Sequence, residues 1–181
     1  MVNVSIKCCF YLKALFKTSN NLAKSSKYLS QEAALSRMQR YCAYQERSHQ
    51  EVRSKLLDLG VYGDVLEEIM AQLVSDNFLN EERYARAYAR GKFRMKQWGR
   101  RRIVQELKFR QVSEYCIRKA LEEIPEADYQ KTLHEVVRKR RESLSPSDND
   151  FTLRQKTAQY VIGRGFEPEL VWQAVEEVWG E

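Results

Sequence analysis

A chain of 181 residues can form one large domain or two small ones, and its composition, 43% apolar with 11% aromatic residues, excludes a disordered chain because it supplies a buried core. The formal net charge of +6 and the pI near 9.1 indicate a polyanionic or acidic partner, with an ordinary, mildly basic protein as the equal alternative.

The beginning of the chain differs from the rest. Residues 1–16 are moderately apolar, but Lys7 and Lys13 interrupt them and the stretch is too short to span a membrane. No small-residue cleavage site clearly follows, so a secretory signal is the less favoured alternative. Residues 18–27, rich in Ser, Asn and Lys, are typical of a flexible segment. We therefore predict a flexible lead-in over residues 1–29 and no membrane association.

From Ser30 onward, every segment has the pattern of a helix. Apolar residues recur at intervals of three and four, β-branched runs are missing, and no proline occurs before Pro125. Pro125, Pro146 and Pro168 all fall at predicted borders between helices. The chain is therefore predicted to be all-α.

An internal repeat runs through this helical part. Placing Gly60, Gln111 and Gly165 in register aligns apolar residues in three consecutive segments. The aligned sets are Val61, Val112 and Phe166; Leu66, Ile117 and Val171; and Met70, Leu121 and Val175. The intervals from 60 to 111 and from 111 to 165, which are 51 and 54 residues, suit a unit of three short helices. We predict three tandem three-helix repeats, over residues 30–79, 80–125 and 126–181.

Residues that favour the starts and stops of helices divide each repeat in the same way. First helices are predicted to start near Ser30, Asn80 and Asp128. Second helices are predicted to start at Ser48, with Glu51 in a capping box, at Gly99, and near Thr152, with Gln155 in the box position. Two of the third helices are predicted to start after Ser113 and at Pro168. Gly60 and Gly165 stand where a second helix must stop and turn, which favours a positive φ. Gln111 is predicted to adopt the same turn at a cost of about 1 kcal/mol.

The repeats are predicted to stack in an elongated, curved array, because three short helices bury little apolar surface alone. An array of this kind presents long, shallow faces. Such faces suit an extended partner better than an enclosed small substrate.

The positive charge of the array is uneven. Residues 80–124 hold thirteen Lys or Arg and six Asp or Glu, a balance of +7 that exceeds the +6 of the whole chain. Two basic blocks supply the candidate residues for binding a partner or a phosphate, namely Lys92, Arg94, Lys96, Arg100, Arg101, Arg102, Arg138, Lys139, Arg140 and Arg141.

The two blocks lead to different expectations. Arg100, Arg101 and Arg102 fill the first turn of a predicted helix, where cations oppose the helix dipole, so something other than helix stability is expected to keep them there. Residues 138–141 lie late in a helix, where cations complement the dipole, and an ordinary solvated role is favoured for them. For Trp98, packing against a residue five positions later is favoured over a stacking platform for a nucleic-acid base.

Neither a metal site nor a catalytic site is expected. No two cysteines have Cys-x-x-Cys spacing, and the two histidines, His49 and His134, are far apart in the sequence. The patterns GxxxxGK[ST], GxSxG and HExxH are absent, and paired acids such as Glu67 and Glu68 are neighbours that do not face each other on a helix. We therefore predict a protein that is not an enzyme, has no cofactor, and resides in a reducing compartment.

Four segments of the sequence carry a family resemblance. They are ERSHQEVRSKLLDLG, LVSDNFLNEERYARAYARGKF, QWGRRRIVQELKFRQVSEYCIRKALEEI and IGRGFEPELVWQAVEEV, and together they span about Ala33 to the C-terminus. The most specific features are the acidic-Arg-aromatic-Ala helix start and the following Gly-x-x-x-Ile-x-x-Glu-Leu, with the closing Arg-Gly-Phe as a third. These segments resemble the RecX family of bacterial recombinase regulators. Asn80 stands where that family commonly has aspartate, and Gln111 where it often has glycine.

The resemblance implies a protein that inhibits or modulates the RecA recombinase. Members of the family are built from tandem three-helix units and bind in the helical groove of the RecA filament on single-stranded DNA, which limits filament growth and thereby ATP hydrolysis, strand exchange and coprotease activity. The implied partners are the RecA filament and single-stranded DNA, with double-stranded DNA as a further candidate. The implied setting is a cytoplasmic monomer that acts in DNA repair, recombination and the SOS response.

Two other classes of function stay open. A direct DNA-binding protein would place arginines 100 to 102 on phosphates without RecA, and its binding would depend steeply on salt. A helical scaffold with no nucleic acid nearby would make these arginines incidental.

Overall fold

The computed structural model describes residues 29–145 and 149–180, and within these ranges it contains nine α-helices and no strand. In chain order the helices are α1 (Gln31–Tyr44), α2 (His49–Asp58), α3 (Gly63–Ser75), α4 (Glu81–Lys96), α5 (Arg100–Phe109), α6 (Glu114–Leu121), α7 (Glu126–Glu142), α8 (Asp150–Gly163) and α9 (Pro168–Gly180). The prediction of an all-α chain is therefore confirmed. The predicted lead-in, residues 1–29, lies outside the described residues except for Leu29.

The helices form three groups, which we call unit 1 (α1, α2 and α3), unit 2 (α4, α5 and α6) and unit 3 (α7, α8 and α9). Every extensive contact between two described helices joins members of the same unit. The prediction of tandem three-helix repeats is thus confirmed, and unit 2 lies between the other two.

Several helices begin where the sequence places them. The side chains of Ser30 and Asn80 each accept a hydrogen bond from the N–H three residues later. Ser48 and Glu51 form the predicted capping box, in which each side chain accepts from the other residue's N–H, at 3.1 Å and 2.8 Å respectively. These bonds satisfy N–H groups that the first turn of a helix leaves unpaired.

Two helix starts differ from the prediction. Helix α7 begins at Glu126, two residues before Asp128, because the preceding Pro125 already has a φ of −58°, which leads into a helix. Helix α8 begins after Asn149, whose side chain accepts a hydrogen bond from the N–H of Thr152. The capping box predicted at Thr152 is therefore wrong, since asparagine supplies a better N-cap three residues earlier.

The second helix of each unit ends in the same turn. Gly60, Gln111 and Gly165 have φ values of +78°, +58° and +92°, so the predicted left-handed conformation is confirmed at all three positions. The N–H of each donates to the carbonyl three residues back, at 2.8–2.9 Å. After Gly60 and Gln111, the next N–H donates to the carbonyl five residues back, which completes a Schellman motif.

Buried apolar side chains form two cores. The first belongs to unit 1 and includes the fully buried Met38 and Leu56. The second is shared by units 2 and 3, where the ring of Tyr129 lies between those of Phe93 and Phe166, with centroids 6.0 Å and 5.1 Å apart. Because Phe93 is in unit 2 and the other two rings are in unit 3, this stack fixes one unit against the other.

Arg83 on α4 joins unit 1 to unit 2. Its Nε donates to Glu46, in the loop after α1, at 2.6 Å. The remaining guanidinium nitrogens donate to the side chain and carbonyl of Asn77 and to the carbonyl of Phe78, at 3.1 Å, 3.0 Å and 3.4 Å. Arg83 therefore holds the connection between α3 and α4 against unit 1.

Candidate functional site

The first turn of α5, which carries the arginine block, is closed by unit 3. The N–H groups of Gly99 and Arg101 donate to the carbonyls of Arg164 and Gly165, at 2.9 Å and 3.0 Å, and the N–H of Arg100 donates to the hydroxyl of Tyr129 at 3.1 Å. The carbonyls that end α8 thus offset the positive end of the α5 dipole. This explains how the block is tolerated at a helix start, and it leaves these three N–H groups with protein partners.

The same junction requires two glycines. A Cβ atom on Gly99 would lie 2.1 Å from the carbonyl oxygen of Gly165, and one on Gly165 would lie 2.3 Å from the Cβ of Arg102. Sequence reasoning treats Gly99 as an N-cap and Gly165 as a turn. It misses that the two backbones touch, since only the fold brings them together.

Arg100, a predicted site residue, is used inside the protein. Its guanidinium carbon lies 4.0 Å from the ring centre of Tyr129, and a terminal nitrogen donates to Glu126 at 2.7 Å and to the Ile124 carbonyl at 3.4 Å. The Tyr129 hydroxyl donates in turn to Glu167 at 2.5 Å. Burial and Glu167 raise the pKa of Tyr129, while Arg100 lowers the pKa of Glu126. Arg100 therefore positions unit 3 against unit 2.

Between α4 and α5, cations and aromatic rings alternate in what we call the cation–aromatic row. Arg110 lies 5.0 Å from the ring centre of Tyr88, and Lys92 lies 5.1 Å from that centre and 5.1 Å from the centre of Trp98. Arg102 closes the row, 4.1 Å from Trp98. Each contact of this kind contributes about 0.5–1 kcal/mol at exposed sites, so the row orders the cations on this face.

Trp98 also packs against the shared core, whose buried members include Ile103. Trp98 is therefore neither an isolated stacking platform for a base nor a purely buried residue. Arg110 is a member of the row that the sequence did not single out. The ring of Tyr88 packs against the shared core and also contacts Lys92 and Arg110. The i, i+4 spacing of Tyr88 and Lys92 on one helix is the signal that could have revealed the first of these two contacts.

Three of the predicted site residues point into solvent beside the row. Arg94, Lys96 and Arg101 are exposed, and none of their side chains has a hydrogen bond, an ion pair or a ring contact within the described residues. Unpaired cations next to an ordered row of cations are available to an anionic partner at little cost, because no existing ion pair must be broken.

The second basic block lies at the end of α7 and is largely engaged within unit 3. Arg141 donates to the carbonyl of Val178 at 2.6 Å, Lys139 donates to Glu135 at 2.5 Å, and Arg140 lies 4.7 Å from the ring centre of Tyr160. Arg138 is exposed. This arrangement supports packing as the main role of Arg140 and Arg141, whereas Lys139 makes an exposed ion pair.

The two basic blocks nevertheless approach each other. Gln97, which ends α4, and Arg140 line the same depression, of about 200 Å³. Arg164 also lines it and donates to the carbonyls of Lys96 and Gln97. Unit 3 therefore holds the end of α4, where Lys96 is exposed, in a fixed position.

A groove of about 470 Å³ runs beside the row between unit 1 and unit 2. Lys92, Lys96 and the exposed Met95 lie on its α4 side, and Glu46 and Glu51 lie on its unit 1 side. The groove thus changes from basic to acidic across its width. An extended partner lying along it would meet both signs of charge.

The described residues contain neither a cluster of metal ligands nor a helix that could cross a membrane. In residues 29–145 and 149–180, no group of three or more His, Cys, Asp or Glu side chains is arranged to hold a metal ion. Over the same part of the chain, no helix has both the length and the apolar character needed to cross a membrane. Cys42 and Cys116 are free thiols within the cores, and burial raises the pKa of each.

Comparison with known families covers most of the chain. Residues 34–73, 80–121 and 126–175 match, respectively, the models of the first, second and third three-helix domains of RecX. The three matches follow one another in order, and each falls within one of the three helical units.

Similar curated proteins carry the same description, regulatory protein RecX. The one from Bacillus cytotoxicus is 27% identical over 138 residues, which are 76% of this chain and 51% of that protein. The one from Prosthecochloris aestuarii is 27% identical over 145 residues, 80% of this chain and 93% of that protein. The chain thus spans about half the length of the Bacillus relatives that it matches.

Two solved structures share the fold. A crystal structure of regulatory protein RecX aligns with a TM-score of 0.74 at 22% identity, over 81% of this chain and 71% of that one. The crystal structure of RecX from Lactobacillus salivarius aligns with a TM-score of 0.74 at 20% identity, over 83% of this chain and 97% of that one.

Proposed function

Because the chain belongs to the RecX family of regulatory proteins, we propose that it binds the RecA nucleoprotein filament and inhibits or modulates the recombinase, ATPase and coprotease activities of RecA. The observation that carries this proposal is the cation–aromatic row of unit 2 together with the unpaired Arg94, Lys96 and Arg101 beside it. This surface is basic and ordered, and its three exposed cations have no partner in the described part of the chain.

The distribution of charge supports a composite partner. Residues 80–124 have a balance of +7, whereas residues 30–79 hold five basic and eight acidic side chains and residues 126–181 hold eight and eleven. A basic unit is thus flanked by two units of net negative charge. A filament of protein on DNA offers phosphates and protein side chains of both signs, so complementary charges can fix the orientation in which this protein binds.

The proposed mechanism needs no chemistry from this chain. Arg94, Lys96 and Arg101 contact phosphates or acidic protein groups of the filament, and the row keeps the surrounding cations in place. Units 1 and 3 then lie along the filament on either side. A molecule bound in this way obstructs the addition or turnover of RecA subunits, which lowers ATP hydrolysis and strand exchange indirectly.

The first test is hydrolysis of ATP by the cognate RecA on single-stranded DNA, with this protein added at substoichiometric ratios. We expect the rate of ATP hydrolysis to fall at ratios well below one molecule of this protein per RecA, with DNA in excess of what the protein could cover. Inhibition that appears only when the DNA is fully covered would contradict action on the filament and would favour competition for DNA.

A direct DNA-binding protein is the second candidate function, and the alternation of aromatic rings with cations in the row favours it. Aromatic rings and cations together are typical of surfaces that bind single strands. This candidate predicts binding to DNA without RecA and a steep loss of affinity with salt. Equal affinity for DNA and for the filament, measured at one salt concentration, would support it over the first.

The remaining parts of the proposal follow from the partner. A regulator of RecA works where RecA and DNA are, so we place this protein in the cytoplasm, in DNA repair, recombination and the SOS response. We further propose that it acts as a monomer, because each chain carries three units in tandem. Sedimentation of the purified protein tests this last point.

A further inference from the structure

A second groove shares Arg102 with the cation–aromatic row. It lies between α5 and the turn that joins α8 to α9 and has a volume of about 550 Å³. Its floor is formed by Ile162, Gly163 and Gly165. Because Gly163 has no side chain and no atom lies within 4 Å of where its Cβ would stand, a ligand can approach the backbone closely there.

The charge of this groove is positive and not compensated from within. Arg101 and Arg102 line it, and its only acidic lining residue, Glu106, is bound by Arg110 at 2.6 Å, a residue outside the groove. Arg102 contacts the ring of Trp98, and Arg101 has no partner in the described part of the chain. The groove therefore attracts an anionic ligand, because no acidic side chain of its own is free to neutralise the two arginines.

An aromatic ring stands at the far end. Phe109, the last residue of α5, is 76% exposed although it is a large apolar side chain. Arg101, Gln105 and Phe109 are spaced i, i+4 and i+8, so they share one face of α5 over about 12 Å. A cation, an amide and an aromatic ring thus follow one another along the groove.

We propose that this groove binds single-stranded nucleic acid, with an unstacked base against the ring of Phe109, a phosphate at Arg101, and Gln105 between them as a hydrogen-bonding group. The site rests on the proposed function, and it adds the groove in which the strand lies and the residue that selects a single strand. The face of a base is accessible only when the base is not stacked in a duplex, so Phe109 favours a single strand, whereas Arg101 alone would accept either.

The observations favour nucleic acid over a protein partner. The core of a protein–protein interface is depleted of charged residues, whereas here two arginines line the groove and the apolar contribution is limited to Phe109 and Ile162. The uncompensated arginines and the open backbone at Gly163 suit a phosphate chain, which is negatively charged at each nucleotide.

The test is the affinity of the full-length protein for a fluorescent oligothymidylate and for a duplex of the same length, measured by anisotropy without RecA. We expect Phe109→Ala to weaken binding of the single strand about ten-fold, the order expected for loss of one stacked base, and to leave duplex binding within two-fold. Phe109→Tyr keeps the ring and should keep the affinity. Phe151→Ala is the matched control, because Phe151 is 68% exposed and lies at the start of α8, outside the groove.

Salt dependence separates the two roles in the site. Arg101→Gln should lower the slope of log affinity against log salt by about one, whereas Phe109→Ala should lower affinity without changing the slope. Single-strand affinity of Phe109→Ala equal to that of the unmodified protein, or an equal loss on the duplex, would overturn the proposal. Lost inhibition of RecA with unchanged single-strand affinity would also overturn it and would make Phe109 a protein contact.

Failure of the two proposals can be told apart. If the unmodified protein does not inhibit RecA but Phe109→Ala still loses single-strand affinity selectively, the groove site stands and the proposed function fails. If inhibition occurs and Phe109→Ala binds single strands normally, the groove proposal alone fails.

Discussion

Gly99 and Gly165 meet backbone to backbone, with the carbonyl oxygen of Gly165 only 2.1 Å from where a Cβ atom on Gly99 would stand. This contact joins the start of the basic helix α5 to the turn after α8. It places the arginine block against unit 3, and it depends on the absence of two side chains. The surface that we propose for the partner is therefore built at a junction between units.

Substituting Gly165 tests this junction. Gly165→Ala adds a Cβ 2.3 Å from the Cβ of Arg102 and places alanine at a φ of +92°. We expect the free energy of unfolding to fall by more than about 2 kcal/mol, because an overpacking cost adds to a backbone cost. Urea denaturation measures the change.

Two other glycines provide matched controls for that experiment. Gly60→Ala shares the positive φ but meets no atom within 4 Å, so it should cost only about 1 kcal/mol. Gly163→Ala, two residues from the junction, meets no atom and has an ordinary helical φ, so it should be neutral or slightly stabilising. Equal effects at Gly165 and Gly60 would contradict a close contact at the junction.

The Tyr129 hydroxyl is the polar centre of the same junction, since it accepts from the N–H of Arg100 and donates to Glu167. Tyr129→Phe keeps the ring stack but leaves that N–H without its partner. We expect a loss of about 1–3 kcal/mol in the free energy of unfolding, the usual cost of a buried group that loses its hydrogen bond. Tyr160→Phe is the control: its hydroxyl accepts from Arg164 on the exposed surface, so its loss should be much smaller. A difference of zero between the two variants would contradict this role for Tyr129.

Local signals predicted much of the fold, because they act between residues close in sequence. The capping box of Ser48 and Glu51 and the left-handed turn at Gln111 depend on positions within one turn of a helix. The repeat extended this reasoning, since Gln111 was assigned its turn from the glycines in register with it. Local reasoning placed the start of α7 two residues too late, because it set Pro125 between two helices but weighed Asp128 as the cap.

The candidate site was less predictable, and the reason is distance along the chain. Arg100 contacts Tyr129, 29 residues later, and Arg164 donates to the carbonyl of Lys96, 68 residues earlier. No periodicity reports contacts of this length. The sequence therefore identified the basic blocks as a set but did not separate Arg100, which is used for packing, from Arg101, which is exposed.

His134 and Glu177 link α7 to α9 and should make unit 3 sensitive to pH. Nδ1 of His134 lies 2.8 Å from the carbonyl oxygen of Gln130, and Nε2 lies 2.7 Å from Glu177. The Gln130 carbonyl first, and then Glu177, raise the pKa of His134 above its ordinary 6.5. Partial burial and Arg138 oppose this shift but do not cancel it. His134 and Gln173 lower the pKa of Glu177 below 4.5.

The sign of the pH effect follows from these two directions. A raised histidine pKa gives stability that is fully present below pH 6.5 and is lost as pH rises through the folded pKa. The lowered pKa of Glu177 gives stability that is present above pH 4.5 and is lost as pH falls through its folded value. Between pH 5.5 and pH 8.5, we expect the Tm of the unmodified protein to fall by about 2 °C more than the Tm of the His134→Gln variant. The effect is small because the pair is half exposed. Parallel Tm curves for the two proteins would contradict a contribution from this pair.

Charge reversal tests the partner-binding surface directly, provided that the residues reversed are the exposed ones. Reversing Arg100 would confuse two effects, because its contacts with Glu126 and Tyr129 hold unit 3 in place. The triple variant Arg94→Glu, Lys96→Glu and Arg101→Glu changes only side chains without partners in the described residues. We expect its free energy of unfolding to stay within about 0.5 kcal/mol of that of the unmodified protein.

The same triple variant should inhibit RecA much more weakly, although its stability is nearly unchanged. If each lost contact contributes about 1 kcal/mol, the triple variant should need at least about ten-fold more protein for half-maximal inhibition of ATP hydrolysis. The control variant, Arg37→Glu, Arg118→Glu and Lys131→Glu, makes the same change in net charge at exposed positions on α1, α6 and α7. A loss common to both variants would report long-range electrostatic attraction alone, whereas a loss confined to the first would locate the contact at the end of α4 and the start of α5. Unchanged inhibition by the first variant would remove the cation–aromatic row and its neighbours from the proposed mechanism.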